Sequence, residues 1–214
     1  MTREKLKILL ADDHGIVRAG IRRLLRDEPD IEVVGETDTA SAALLMVRKE
    51  AWDVVVMDIN MPGQSALDVL RLIKLEKPEL PVIILTMHSE EQYAVRMLKA
   101  GAAGYVTKAS AADYLLAAIR KVAEGGTYIS AALASQLAAR LKSQSKESLD
   151  DLLSDREFSV FCAIAEGKPL SQIAEELHLS AKTITTYRAR VLSKLGMHSN
   201  TEMVRFALDH GLIE

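Results

Sequence analysis

The sequence predicts an α/β domain built on a doubly wound parallel sheet, followed by a smaller all-α domain. Three observations lead there. From residue 7 to about 124, short apolar, β-branched runs alternate with longer stretches of helical period. Residues 143–151, "SQSKESLDD", are polar and carry no apolar period, as a linker does. From Ser154 onward the apolar spacing is helical throughout. A chain of 214 residues with 49% hydrophobic content is long enough for two packed cores.

The elements follow in order. Strands are expected at 7–11, 31–37, 53–58, 82–87 and 105–107, with helices at 16–26, 40–50, 65–77, 90–100 and 111–124. Five β-α units require parallel strands, right-handed crossovers and helices on both faces. Strands 1, 3 and 4 are apolar on both parities, as central strands must be. Strand 2, "IEVVGET", carries Glu32 and Glu36 and suits an edge. If the five units wind in the order 2-1-3-4-5, strands 1 and 3 are neighbours where the order reverses. Gly125 and Gly126 close the fifth helix, and a helix-prone segment at 130–143 leads into the linker. Four short helices are expected beyond it, at 155–166, 170–177, 181–195 and 201–209. Their capping candidates are Ser154 with Glu157 three residues on, Ser180, and Asn200. The expected domains are therefore 1–125, a linker with a helical segment at 126–150, and 151–214.

Composition narrows the function classes. A net charge of −3 marks neither a basic coat protein nor an acidic tail, so partners must be read from local charge. The single cysteine, Cys162, lies in the apolar "FSVFCAIA"; it allows no intrachain disulfide and reads as a core residue. Five scattered histidines with one cysteine offer no zinc pattern. "MTREKLKILLADDH" meets charge after a short apolar run, and no stretch approaches a membrane span, so a cytoplasmic protein without membrane contact is expected.

The stretch "VVVMDINMP", residues 54–62, runs an apolar strand directly into Asp58. In an open parallel sheet, chemistry gathers beyond the carboxyl ends of the strands, where strand order reverses. Asp12 and Asp13 follow strand 1 and Asp58 ends strand 3, so three carboxylates converge on one cleft. Their mutual repulsion calls for a cation, and hard oxygen donors suit Mg²⁺. Thr86 ends strand 4 and Lys108 ends strand 5. A hydroxyl, an ammonium and Mg²⁺ around Asp58 are what an aspartyl phosphate needs to neutralise its oxygens. Taken singly, Asp12 and Asp13 could cap helix 1, and Thr86 and Lys108 could be ordinary strand and surface residues. Their joint placement at successive strand ends points to function.

"LADDH", "VVVMDINMPG", "ILTMH" and "GAAGYVTKAS" resemble the receiver domain of bacterial two-component response regulators, which has a (βα)5 flavodoxin-like fold. The resemblance implies that Asp58 accepts a phosphoryl group from a sensor histidine kinase. It also implies that Asp13 and Asp58 bind Mg²⁺ with Asp12 and the Asn60 carbonyl assisting, that Lys108 and Thr86 contact phosphoryl oxygens, and that Tyr105 is the switch aromatic. Gly15 and Ala109 stand where relatives often carry proline.

Helices 170–177 and 181–195, joined by "HLS", have helix-turn-helix proportions. In the second, Ile184, Val191, Leu192 and Leu195 share one face, and Lys182, Thr185, Thr186, Ala189 and Ser193 the other. Residues 154–214 carry seven basic and eight acidic residues, yet 181–194 hold Lys182, Arg188, Arg190 and Lys194 with no acid. That local excess is the footprint expected of a helix entering the major groove of double-stranded DNA.

The segment from "LSDREF" to "DHGLI" resembles the four-helix LuxR-type output domain, which with the receiver implies a response regulator of the NarL/FixJ family. By the resemblance, Thr185, Thr186 and Ala189 face bases. Lys182, Thr183, Tyr187, Arg188, Arg190 and Lys194 complete the DNA surface, with the cations on phosphates. The last helix, with Asn200, Thr201, Val204 and Leu208, corresponds to the element that forms a homodimer on DNA. Gln172 replaces a usual glutamate, and His178 a usual glycine of the turn. Two other classes compete. A phosphatase with an aspartate nucleophile needs a second acid two residues on, where Asn60 stands, so no enzyme beyond self-phosphorylation from small donors and autodephosphorylation is expected. The other is a DNA-binding scaffold indifferent to phosphorylation.

Overall fold

The computed structural model describes residues 5–87, 90–142, 152–210 and 212–213. The chain divides into two compact units, Met1–Ala131 and Ala132–Glu214. In the first, β1 (Leu6–Ala11), β2 (Ile31–Thr37), β3 (Val54–Met57), β4 (Val82–Thr86) and β5 (Gly104–Thr107) form one parallel sheet. Its order is β2-β1-β3-β4-β5. Five helices alternate with the strands: α1 (Gly15–Arg26), α2 (Ala40–Lys49), α3 (Ala66–Glu76), α4 (Glu90–Lys99) and α5 (Ala111–Ala123).

The apolar strands are buried on both parities. Ile8, Leu10, Val54, Val56, Ile83 and Leu85 pack with Ile21 and Leu25 of α1 and Leu115 and Ile119 of α5. The opposite parity, Leu9, Val55, Met57 and Ile84, is equally buried. β2 lies at the expected edge with Glu32 exposed. Its pairing with β1 slips between Ile8 and Leu9, so that Leu9 faces Gly35. A Cβ at Gly35 would lie 2.4 Å from the Trp52 ring, which explains the glycine in an otherwise β-branched strand.

The other edge holds a feature without a sequence signal. The Tyr105 N–H donates to the Tyr128 carbonyl (3.2 Å) and the Tyr128 N–H to that of Ala103 (2.8 Å). The chain leaving α5 thus pairs with β5 through a single bridge, Gly104 to Tyr128.

Helix α6 (Ala131–Lys142) follows, within the helical stretch expected at 130–143. The polar stretch 143–151 lies outside the described residues. The second unit contains α7 (Asp155–Ala165), α8 (Leu170–Glu176), α9 (Ala181–Leu195) and α10 (Asn200–Asp209). Phe158, Phe161, Ile173, Ile184, Val191 and Met203 are buried, and Phe161 meets Phe206 edge to face at 6.2 Å. Cys162 is buried, as its apolar context predicts.

Ser154 and Glu157 form a full capping box on α7, and Ser180 caps α9 through the Thr183 N–H. The last cap corrects the expectation. Asn200 is the first residue of α10, and Ser199 is its N-cap, its Oγ accepting the Glu202 N–H at 3.2 Å. The Ser-x-x-Glu pattern outweighs the asparagine because Glu202 returns a carboxylate to the Ser199 hydroxyl and the His198 N–H. His178 has φ 52°, the left-handed conformation that a glycine would adopt without strain. Among the described residues no helix is long and apolar enough to cross a membrane.

Candidate functional site

The β1/β3 boundary is where strand order reverses, and the carboxylates collect at that point. Asp12 and Asp58 each lie one residue beyond their strands, and the Asp58 N–H donates to the Ala11 carbonyl at 2.8 Å, locking the two strand ends together. Asp12 is fully buried and Asp58 is 2% exposed. The Lys108 Nζ, just past β5, lies 2.6 Å from Asp58 Oδ2 and 2.7 Å from Asp12 Oδ2, so one ammonium bridges two carboxylates. Thr86, fully buried, ends β4 and is in register with Thr107 beside Lys108. The Asn60 N–H donates to Asp58 Oδ1 at 3.3 Å. Tyr105 is buried within β5 rather than a surface tyrosine.

The electrostatics follow from burial. Loss of water pushes the Asp58 carboxyl up, and the Lys108 charge only partly restores it. Burial would depress the Lys108 ammonium, but Asp58 and Asp12 outweigh it and hold the proton above the ordinary lysine value. The carboxylates of Asp12, Asp13 and Asp58, when ionised, exceed the single lysine by two negative charges. Oxygen donors from these three residues and an atom of His14 all lie within 4.8 Å of one another. That donor set fits a hard divalent cation.

Two neighbours had no visible role in the sequence. His14 Nδ1 lies 2.7 Å from Asp13 Oδ1, and the His14 N–H donates to Asp12 Oδ1 at 2.8 Å. The Arg18 guanidinium donates to the Asp12 carbonyl. Arg18 stands one turn into α1, the position from which a side chain returns to the loop before the helix, and that spacing was the available signal. The N-cap of α1 is His14, which makes no side-chain capping bond, and Asp12 serves the loop and Lys108 instead.

In the second unit α9 is amphipathic as predicted. Ile184 and Val191 are buried, Leu192 and Leu195 half-buried, and Lys182, Thr185, Thr186, Ala189 and Ser193 exposed. The cations are individually placed. Arg188 Nε donates to Asn200 Oδ1 at 2.6 Å, and the Arg190 guanidinium lies over the Tyr187 ring at 5.9 Å. Lys194 Nζ lies 2.6 Å from Glu157 Oε2, an acid that is 3% exposed, so this lysine carries a structural ion pair besides any task on DNA. On α10, Thr201 and Leu208 are exposed and Val204 half-buried. Gln172 donates within α8 to Glu176, 2.8 Å away.

Residues 8–120 match the response regulator receiver domain, and residues 151–207 match the bacterial regulatory proteins of the luxR family. The chain belongs to the NarL/FixJ family of two-component response regulators. The regulator is 40% identical over 208 residues to the response regulator UvrY of Escherichia coli K12, covering 97% of this chain and 95% of the relative. It is 38% identical to the response regulator GacA of Pseudomonas aeruginosa, over 98% of both chains. Among solved structures, RcsB of Salmonella enterica serovar Typhimurium, bound to the promoter rprA in the presence of the phosphomimetic BeF3⁻, aligns with a TM-score of 0.62 at 27% identity. That match covers 95% of this chain and 98% of RcsB. Regulators of this family join a receiver to a DNA-binding domain that controls transcription.

Proposed function

We propose that this regulator is switched by phosphotransfer from a sensor histidine kinase to Asp58, and that the phosphorylated protein binds double-stranded DNA as a homodimer. The observation that carries the assignment is Lys108, just past β5, held between Asp12 and Asp58 at the ends of β1 and β3. In the transfer, the P–N bond of a phosphohistidine breaks as a P–O bond forms to an Asp58 carboxylate oxygen, and the imidazole leaves with the electron pair. Lys108 and Thr86 then receive the phosphoryl oxygens, and Tyr105 is the aromatic that responds. Asp13, Asp58 and the Asn60 carbonyl, with Asp12 assisting, would hold Mg²⁺, which supplies positive charge to the oxygens of the transferred group. Phosphorylation from small donors follows from the same geometry. Such a regulator works in the cytoplasm.

On the DNA side, Lys182, Arg188 and Arg190 are suited to phosphates, Thr183 and Tyr187 to the rim of the groove, and Thr185, Thr186 and Ala189 to base edges. Lys194 joins the phosphate set with its charge partly answered by Glu157. Asn200, Thr201, Val204 and Leu208 form the dimer surface. RcsB supports this part of the reading, since its dimers have been seen bound to DNA.

The test is mass spectrometry after incubation with acetyl phosphate and Mg²⁺. One added phosphoryl group is expected on the wild type and none on Asp58→Asn. Lys108→Ala should slow the gain by roughly 10²-fold. An Asp58→Asn protein that is phosphorylated as fast and as stably as the wild type would refute the assignment.

A further inference from the structure

The exposed face of α9 has a hydrogen-bonding character that its residue types alone do not reveal. Thr185 Oγ1 donates to the Ala181 carbonyl at 2.9 Å, and Thr186 Oγ1 donates to the Lys182 carbonyl at 3.0 Å. Both hydroxyl protons are therefore committed inside the helix. What each exposed threonine still offers is a methyl group and the remaining lone pairs of its oxygen. Ala189, exposed and one turn further on, adds another methyl and no polar atom. The centre of this face can accept a hydrogen bond and make apolar contact, but it lacks a side-chain donor.

Lys182 and Ser193 share this exposed face at its two ends, and the remaining donors nearby are held to the sides. Arg188 is tied to Asn200, Arg190 lies over Tyr187, and Lys194 is paired with Glu157. None of these three occupies the strip formed by Thr185, Thr186 and Ala189.

Resting on the DNA-binding reading above, we infer that Thr185, Thr186 and Ala189 form a donor-free, methyl-bearing surface that selects A·T base pairs in the major groove. The complementarity is specific. A G·C pair presents guanine N7 and O6 as acceptors and an A·T pair presents adenine N7 and thymine O4, so the unmatched acceptors do not discriminate and the thymine methyl does. Cytosine presents a donor but no methyl. An A·T pair presents the adenine N6 amino donor and the thymine C5 methyl together, the two features this surface matches. Accepting from the adenine amino group preserves the threonine bonds to the helix carbonyls.

The experiment uses the full chain, treated with acetyl phosphate and Mg²⁺, on a duplex library permuted at every position. Wild type, Thr186→Ser and Thr186→Val are compared. A·T should exceed G·C by about tenfold at the pair where the variants alter preference. Replacing that thymine by uracil removes its methyl and should weaken the wild type several-fold but leave Thr186→Ser unaffected. Replacing that adenine by unsubstituted purine removes the amino group and should weaken the wild type but not Thr186→Val. A wild-type preference for guanine at that pair overturns the inference, as does a response to uracil and purine that both variants share with the wild type. Binding without base preference overturns it too, while leaving DNA binding intact. Absence of any salt-sensitive duplex binding removes the underlying reading as well.

Discussion

Glu157 sits at the meeting of a helix cap and a recognition helix. Burial raises its carboxyl, but the bonds from Lys194 and from Ser154 outweigh that and hold it below the ordinary glutamate value of 4.5. A carboxyl depressed in the folded state stabilises fully above its unfolded value and loses that contribution as pH falls through the folded one. The stability difference between wild type and Glu157→Gln should therefore shrink as pH drops from about 5 to about 3. Chemical denaturation across that range measures it, and a difference independent of pH would contradict the ion pair. His178 makes the opposite kind of prediction. Its φ of 52° costs a side chain about 1–2 kcal/mol that glycine avoids, against a smaller loss from glycine's freedom when unfolded. His178→Gly should raise the stability of the second unit by roughly 0.5–1 kcal/mol. A melting temperature that falls instead would mean that the contacts of the imidazole outweigh the backbone strain.

Strand β2 and the Trp52 ring constrain one another. The slip in the β1–β2 register brings Gly35 opposite Leu9, and Trp52 lies against its backbone while donating to the Met46 carbonyl at 3.0 Å. A methyl at position 35 would meet Trp52 at 2.4 Å and Met46 at 2.7 Å, so the ring, the methionine or the strand must move. Gly35→Ala is expected to destabilise the first unit by about 1–3 kcal/mol, the usual range for overpacking. Because Trp52 is the only tryptophan in the sequence, its fluorescence reports on this contact directly. An unchanged spectrum with unchanged stability would show that the contact yields without cost.

Each of the two units has its own buried core, so each can unfold by its own cooperative transition. A ligand that binds one native unit stabilises that unit alone, by about 2.7 kcal/mol at a hundredfold excess over its Kd. Mg²⁺ with beryllium fluoride, a phosphoryl mimic, should therefore raise the transition of the first unit and leave the second in place. Calorimetry with and without the mimic, repeated with Asp58→Asn, checks this. Equal shifts in both transitions, or a shift that survives the substitution, would place the ligand elsewhere.

The sequence by itself determined the alternation of strands and helices, the edge character of β2, the carboxylates at the strand ends and the apolar face of α9. All of these follow from periodicity or from residue types at the ends of short segments, which are local properties of a chain. Tertiary structure decided which charges meet. Lys194 and Glu157 are 37 positions apart and no spacing pairs them until helix packing does, while Lys108, expected beside Asp58 from its strand end, is also brought onto Asp12. The same holds for the Tyr128 bridge on β5, for Arg188 on Asn200 and for His14 against Asp13. Even the local threonine bonds in α9 depend on a side-chain rotamer choice that the residue name leaves open, since a helical threonine has two rotamers available.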